Sequence, residues 1–248
     1  MPVSRYRAAV PAAALTLAAA LAGCAGHPQR PADTPRRTGV AAAPAPERRA
    51  PELPATLPGL GPATLARIPA GTGQVLVVTG RGRDAATATA VLHVRTPLGW
   101  SAGRAWPARN ARDGWTDEHY ADDMRSPIGV FALTDAGGRS ENPGTRLPYD
   151  RSPRFVAEGD GFDGEPLDGS FDYVVAINYN REAGVSPLDR GRPLGEERGG
   201  GIWLHVDHGG PTHGCVALSE RDLRDLLRRL DPARYPVIVM GDAASLAR

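Results

Sequence analysis

Short apolar runs separated by turn residues fill the chain from about Leu57 onward. Runs that alternate like a strand, or are continuously apolar, predict β-strands. They cover residues 74–79, 87–96, 129–133, 172–179, 201–206 and 237–240. Turn signals such as Asn142-Pro143-Gly144 lie between them. Because neither an internal repeat nor a second core is visible, the pattern predicts one mostly β domain over residues 57–248.

A segment near the C-terminus has helical periodicity instead. Leucines recur at i, i+3, i+4 and i+7 over residues 223–230, which gives one apolar stripe suited to packing on a sheet. Ser219 is the expected N-cap residue, because Asp222 three positions later completes a capping-box pattern. The Asp-Pro pair at 231–232 ends the predicted helix.

Residues 1–24 have the form of an export signal. Two arginines precede an apolar stretch, 8–21, which is too short and too rich in alanine for a good membrane span of about 20 apolar residues. The stretch ends in Leu-Ala-Gly-Cys, which resembles a bacterial lipobox. Cleavage there would leave Cys24 as an acylated N-terminal residue, anchoring the protein to the outer face of the cell membrane, facing the cell wall. The alternative is a signal peptide that happens to contain a cysteine.

Residues 25–56 are predicted to be an unfolded linker. They consist largely of Pro, Ala and Arg without an aromatic residue, so they cannot bury enough apolar surface to fold. The prolines favour an extended conformation, which suits a spacer between a membrane and a catalytic domain.

Charge and cysteine content narrow the function classes. The formal net charge is +1, which argues against a nucleic-acid partner recognised by a broad basic face. The chain has two cysteines. If Cys24 carries lipid and Cys215 carries chemistry, none remains for a disulfide.

The candidate chemistry lies within residues 205–215, between the last predicted strand before the helix and the helix N-terminus. His205, His208 and His213 accompany Cys215 there. A free cysteine is only slightly ionised at pH 7, and a neighbouring histidine can take its proton and stabilise the thiolate as an ion pair. Gly214 lets the backbone approach a substrate, and the N–H groups of Gly214 and Cys215 could form an oxyanion hole.

Three blocks resemble the L,D-transpeptidase (YkuD-type) catalytic domain and occur in that family's order. Residues 125–131, Arg-Ser-Pro-Ile-Gly-Val-Phe, are similar to its strand motif, and residues 201–205 to the strand that presents its upstream histidine. Thr-His-Gly-Cys at 212–215 resembles its signature. The resemblance covers roughly residues 74–242. It implies a mostly β, YkuD-like sandwich with mixed sheets and a helix from the C-terminal region packed on it.

The resemblance also implies a reaction and its residues. Cys215 would attack the carbonyl between the third residue of a peptidoglycan stem tetrapeptide and its terminal D-Ala. The acyl-enzyme would then pass to the side-chain amine of a neighbouring stem, giving a 3→3 cross-link without a metal or organic cofactor. His205 resembles the family's base, and His213 would take part in catalysis or hold the loop. The candidate substrate-facing residues are Thr212, His208 and Tyr179.

Two departures from the family pattern bear on substrate choice. The family commonly has Arg two residues after the cysteine, where this chain has Ala217. The segment between His205 and Thr212 is shorter than the family's corresponding loop.

Three alternatives remain open at the level of sequence. Water could replace the acceptor amine, which would make the protein an L,D-carboxypeptidase. The three histidines and Cys215 could instead form a zinc site, although their spacing matches no zinc signature. A cell-wall-binding module without chemistry is the third alternative.

Overall fold

The computed structural model of the chain describes residues 53–248. The expected export signal, the expected lipidation site Cys24 and the expected linker up to residue 52 lie outside the described residues. Within the described part of the chain, no helix is both long enough and apolar enough to cross a bilayer.

The described residues form a mostly β fold with short helices. The strands are β1 Gln74–Gly80, β2 Thr87–Thr96, β3 Gly99–Arg109, β4 Trp115–Thr116, β5 Ser126–Pro127, β6 Gly129–Ala132, β7 Ala136–Gly138, β8 Tyr149–Arg151, β9 Val174–Ala176, β10 Trp203–Val206, β11 Val216–Leu218 and β12 Val237–Asp242. The α-helices are α1 Pro62–Leu65, α2 Glu220–Arg229 and α3 Ala243–Leu246, and short 3-10 turns occur at Glu196–Arg198 and Pro232–Arg234.

Ten of these strands form one mixed, curled sheet in the spatial order β6-β12-β1-β2-β3-β11-β10-β9-β7-β8. Strands β10 and β11 run parallel to each other, and so do β1 and β12. β4 and β5 form a separate parallel pair. The predicted fold class is therefore confirmed, with the layers made by one large sheet and α2 packed against it.

Strand β1 is buried on both of its faces. Leu76 and Val78 belong to the larger apolar core, whereas Val75 and Val77 pack in a second cluster on the other face. Alternate residues of a strand point to opposite faces, so a strand covered on both sides reads as a continuous apolar run. The run at 74–79 was predicted as a strand on that basis, and the prediction is confirmed.

Helix α2 also matches its prediction. The Ser219 side chain accepts a hydrogen bond from the Asp222 backbone N–H at 3.2 Å, which caps the first turn. The leucine stripe is buried, including Leu230 at the C-terminal end. The sequence placed the cysteine loop directly before this helix, but β11 lies between them. Three residues are too few to give a periodic signal, so β11 was not predicted.

Two other parts of the sheet differ from the sequence prediction. β3 was missed, because much of it is exposed and it contains glycine, serine and arginine; it follows β2 through a tight turn at Pro97-Leu98. The strand predicted over 172–179 is shorter, since strand pairing covers only Val174–Ala176. Shortly beyond it the backbone bends, and Asn180 has a positive φ of 45°.

Candidate active site

Cys215 lies immediately before β11, beside β10. The Trp203 backbone N–H donates to the Cys215 sulfur at 3.4 Å, and the thiol lies 3.7 Å from the carbonyl oxygen of Gly201. Burial raises the pKa of Cys215 to about 11, against a smaller lowering by the Trp203 N–H. In this structure Cys215 is therefore a neutral thiol held against the backbone of β10.

Two hydroxyl groups hold the carbonyl of Cys215. The Thr212 hydroxyl donates to that oxygen at 2.7 Å, and the Ser126 hydroxyl lies 3.4 Å from it. The Ser126 oxygen also accepts a hydrogen bond from the Ala111 backbone N–H at 3.1 Å. The block at 125–131 and the Thr-His-Gly-Cys run, separate in sequence, thus meet at one peptide group. The sequence motif that contains Ser126 predicts a strand and does not identify Ser126 as a site residue.

Gly214 packs closely against the Ile202 side chain. A side-chain carbon at this position would lie 2.9 Å from the Ile202 Cδ1 atom, closer than real contacts allow. Because any other residue would displace Ile202 or the loop, glycine keeps the Gly214–Cys215 backbone close to β10.

His205 is buried on β10 and held by its own strand. Its Nδ1 lies 2.9 Å from the Val206 carbonyl oxygen, so Nδ1 carries the proton and donates, leaving Nε2 as the basic nitrogen. The Phe171 ring contacts both His205 and Trp203 edge-on, because alternation along β10 puts these two side chains on one face. In the strand register, His205 pairs with Ala217, two positions after Cys215, and the Cys215 sulfur contacts the backbone N–H of Trp203, two positions before His205.

The ion pair of a Cys215 thiolate and a histidine imidazolium, which the sequence suggested, is not formed with His205. Burial lowers the pKa of His205 to about 4, with the Val206 carbonyl opposing that shift. Among the described residues, no hydrogen bond joins His205 to Cys215. Burial disfavours both the imidazolium and the thiolate, so both groups are neutral at rest.

His208 stands beside His205. The two rings stack nearly parallel, with centroids 5.7 Å apart and an interplanar angle of 7°. The Nδ1 atom of His208 lies 2.9 Å from the Glu165 carboxylate. The Glu165 carboxylate also accepts from the Asp163 backbone N–H at 2.8 Å. Glu165 was missed by the sequence reasoning, since it lies in a Gly- and Asp-rich loop without periodicity.

His213 turns outward. Its side chain is exposed, and its ring lies 4.5 Å from that of Phe162. The Arg112 guanidinium lies 4.6 Å from the same Phe162 ring. Among the described residues, His213 makes no hydrogen bond with Cys215, although the two are only two positions apart.

Thr212 and Tyr179 make contacts within the protein. Thr212 is buried with its hydroxyl on the Cys215 carbonyl. Tyr179 is also buried, and its hydroxyl donates to the Arg198 carbonyl at 2.9 Å. Its ring meets His119 edge-on, and the His119 ring lies behind Gly214. The substrate-facing roles of Thr212 and Tyr179 stay predictions, and the observed contacts position the loop.

The arrangement does not favour the zinc alternative. His205 donates through Nδ1 to a carbonyl, His208 pairs with Glu165, and His213 points to Phe162. Within residues 53–248, no group of three or more His, Cys, Asp or Glu side chains is placed to hold a metal ion. The three histidines therefore do not converge with Cys215 on one point.

Comparison with known proteins gives a family match over most of the chain. The YkuD family, described as the L,D-transpeptidase catalytic domain, matches residues 64–239. No curated protein matches the chain. Among solved structures, that of Bdellovibrio bacteriovorus Bd1075 is similar with a TM-score of 0.40 and 16% sequence identity. The match covers 69% of this chain and 48% of that one, so this chain spans about half its length. The extent of the family match shows that the chain belongs to the YkuD family and carries an L,D-transpeptidase catalytic domain.

Proposed function

We propose that the protein is a peptidoglycan L,D-transpeptidase that forms 3→3 cross-links through an acyl-enzyme on Cys215. The observation that carries the proposal is the pairing of β10 and β11 within a YkuD domain. In this pairing His205 lies opposite Ala217, and the Cys215 thiol contacts the β10 backbone at Trp203, two positions before His205. The bound Nδ1 proton leaves the basic Nε2 of His205 available to the thiol.

The first step is acylation. As the Cys215 sulfur bonds to the carbonyl carbon before the terminal D-Ala, the thiol proton passes to Nε2 of His205. A thiol pKa of about 11 and an imidazole pKa of about 4 make transfer at rest strongly unfavourable. Transfer therefore accompanies attack, as expected for general base catalysis, and the N–H groups of Gly214 and Cys215 are the proposed oxyanion donors.

The second half returns the enzyme to its starting state. His205 gives its proton to the departing D-Ala nitrogen as the C–N bond breaks, leaving a thioester on Cys215. The amine of a neighbouring stem attacks that thioester, and its proton returns through His205 to the sulfur. The products are one D-Ala and one 3→3 cross-linked dimer.

The test is turnover by the purified full chain on a disaccharide tetrapeptide, with products resolved by mass spectrometry. Cross-linked dimers with released D-Ala support the proposal, and Cys215→Ala, the control, forms none of them. Tripeptide without dimer identifies an L,D-carboxypeptidase instead. Activity that survives Cys215→Ala but disappears with a chelator contradicts the proposal and supports the zinc alternative.

We also propose that the protein is exported and anchored through lipid on Cys24, because the Leu-Ala-Gly-Cys sequence there resembles a lipobox. Cys24→Ala is expected to move the protein out of the detergent-rich phase in a partition experiment. A variant that is cleaved normally and stays membrane-bound contradicts the anchor.

A further inference from the structure

Arg192 lies flat against the glycine run 199–201 that leads into β10. A side-chain carbon on Gly200 would overlap its Nε atom and lie 2.7 Å from its Cζ atom. Its Nη2 atom lies 3.5 Å from the position that a side-chain carbon on Gly201 would take. Nη1 donates to the Gly191 carbonyl at 2.8 Å. Within residues 53–248, no carboxylate pairs with this guanidinium, so Nε and Nη2 remain as donors.

The same glycine run touches the nucleophile. The Gly201 carbonyl oxygen lies 3.7 Å from the Cys215 sulfur. Since Nη2 of Arg192 is 3.5 Å from the side-chain position of the same glycine, standard bond lengths within one residue limit the separation of Nη2 and sulfur to about 11 Å. The Arg192 guanidinium and the Cys215 sulfur thus both border Gly201, from different sides of the same residue.

Other arginines on segments near the cysteine loop have partners of their own. Arg109 pairs with Asp207, Arg112 with Asp113 and Arg125 with Asp84, and Arg198 lies over the Tyr120 ring. A guanidinium whose fork is not matched by a protein carboxylate is suited to a carboxylate of a ligand.

We propose that Arg192 binds the terminal carboxylate of the donor stem peptide, the carboxylate of the D-Ala residue that leaves. This inference rests on the proposed function. The attacked carbonyl lies about 3 Å from the sulfur, the carboxylate about 3.8 Å further along the chain and the guanidinium about 2.8 Å beyond it. The sum, about 10 Å, fits within the upper limit of about 11 Å between the Cys215 sulfur and Nη2 of Arg192.

Gly200 keeps Arg192 in this position. Its φ of 152° is rarely adopted by residues with a side chain, and a side-chain carbon there would displace the guanidinium. The glycine run thus both supports the nucleophile through Gly201 and leaves room for Arg192 beside it.

Binding to the Cys215→Ala protein isolates this contact from turnover. Two stem tetrapeptides are compared by calorimetry, one ending in the D-Ala carboxylate and the other in D-alaninamide. Arg192→Gln is expected to weaken binding of the carboxylate peptide about 10- to 100-fold and to leave binding of the amide peptide unchanged. Arg192→Lys keeps the positive charge but loses the paired N–H donors of the guanidinium. Its affinity for the carboxylate peptide is expected to lie between those of the parent and of Arg192→Gln. Arg190→Gln, an exposed neighbour, is the matched control and binds both as the parent does.

The remaining outcomes decide the inference. Equal loss for both peptides, no loss in Arg192→Gln, or no measurable binding of either peptide to Cys215→Ala overturns it. In the Cys215-containing protein, Arg192→Gln should raise KM for the carboxylate donor far more than it lowers kcat. If the wild type does not turn over but carboxylate-selective binding depends on Arg192, the proposed reaction is wrong and the carboxylate subsite stands.

Discussion

The loop that carries Cys215 has a buried side and an exposed side, and they are built differently. On the buried side, His205 is 3% exposed and bound to the Val206 carbonyl, and Thr212 holds the Cys215 carbonyl. On the exposed side, the His213 ring packs at an interplanar angle of 40° against Phe162, in the loop that also carries Glu165. The buried side holds His205 and the Cys215 carbonyl through hydrogen bonds, while the exposed side presents the His213 ring to solvent. We expect the two histidines of this short segment to have different tasks.

The comparison is tested most strongly by removing each histidine. His205→Ala is expected to lower kcat by about 10²–10⁴-fold, because the buried base is lost. His213→Ala is expected to lower it less than about 10-fold, because its ring contacts Phe162 and has no hydrogen bond to Cys215. Both are measured as kcat for dimer formation. A larger loss for His213→Ala would reverse the roles assigned to the two sides.

The buried side should also make stability depend on pH. The folded pKa of His205 is about 4, against 6.5 for an unperturbed histidine. Below pH 6.5 the unfolded chain takes a proton that the folded chain refuses, so stability falls between pH 6.5 and 4, by at most about 3 kcal/mol. The free energy of unfolding in urea measures this.

His205→Gln is the control for that measurement. Burial also lowers the pKa values of His93 and His119. The pH dependence of the wild-type free energy of unfolding therefore contains their contributions too. The difference between wild type and His205→Gln isolates His205. Parallel curves for the two proteins over this pH range would show that His205 is not buried in the neutral form.

Thr212→Val tests how the buried side holds the nucleophile. The variant keeps the shape of the side chain but loses the hydroxyl that donates to the Cys215 carbonyl at 2.7 Å. We expect a loss of about 1–2 kcal/mol in the free energy of unfolding and a drop in kcat with little change in KM. Thr89→Val, on an exposed strand position, is the matched control. A raised KM with unchanged kcat would favour the substrate-facing role predicted for Thr212.

Phe162→Ala is expected to have the smallest effect, and it tests what the exposed side contributes. Removing the ring frees His213 and Arg112 from their contacts with it. Because these groups are exposed or half-exposed, stability should change by less than about 1 kcal/mol. KM for the stem peptide should rise a few-fold with kcat nearly unchanged. A loss of kcat as large as that of His205→Ala would instead show that Phe162 takes part in catalysis.

Local sequence patterns predicted much of the scaffold. The apolar run of β1, the alternation of β2 and the capped leucine stripe of α2 each depend on neighbours within one element, and all three are confirmed. β3 was missed and the strand at 172–179 was predicted too long. Exposure and pairing with a distant strand decide where those elements begin and end.

The sequence by itself determined the family of the domain, the mostly β fold and the loop in which Cys215 lies, because these depend on short motifs and local periodicity. The tertiary structure decided which groups touch that loop. It brought Ser126 to the Cys215 carbonyl, Glu165 to His208 and Arg192 to the glycine run, and it turned His213 outward. Except for the contact of Arg192 with the nearby glycine run, these contacts join segments far apart in the chain. Likewise, burial sets the neutral states of Cys215 and His205, and burial exists only once the sheet has folded around them.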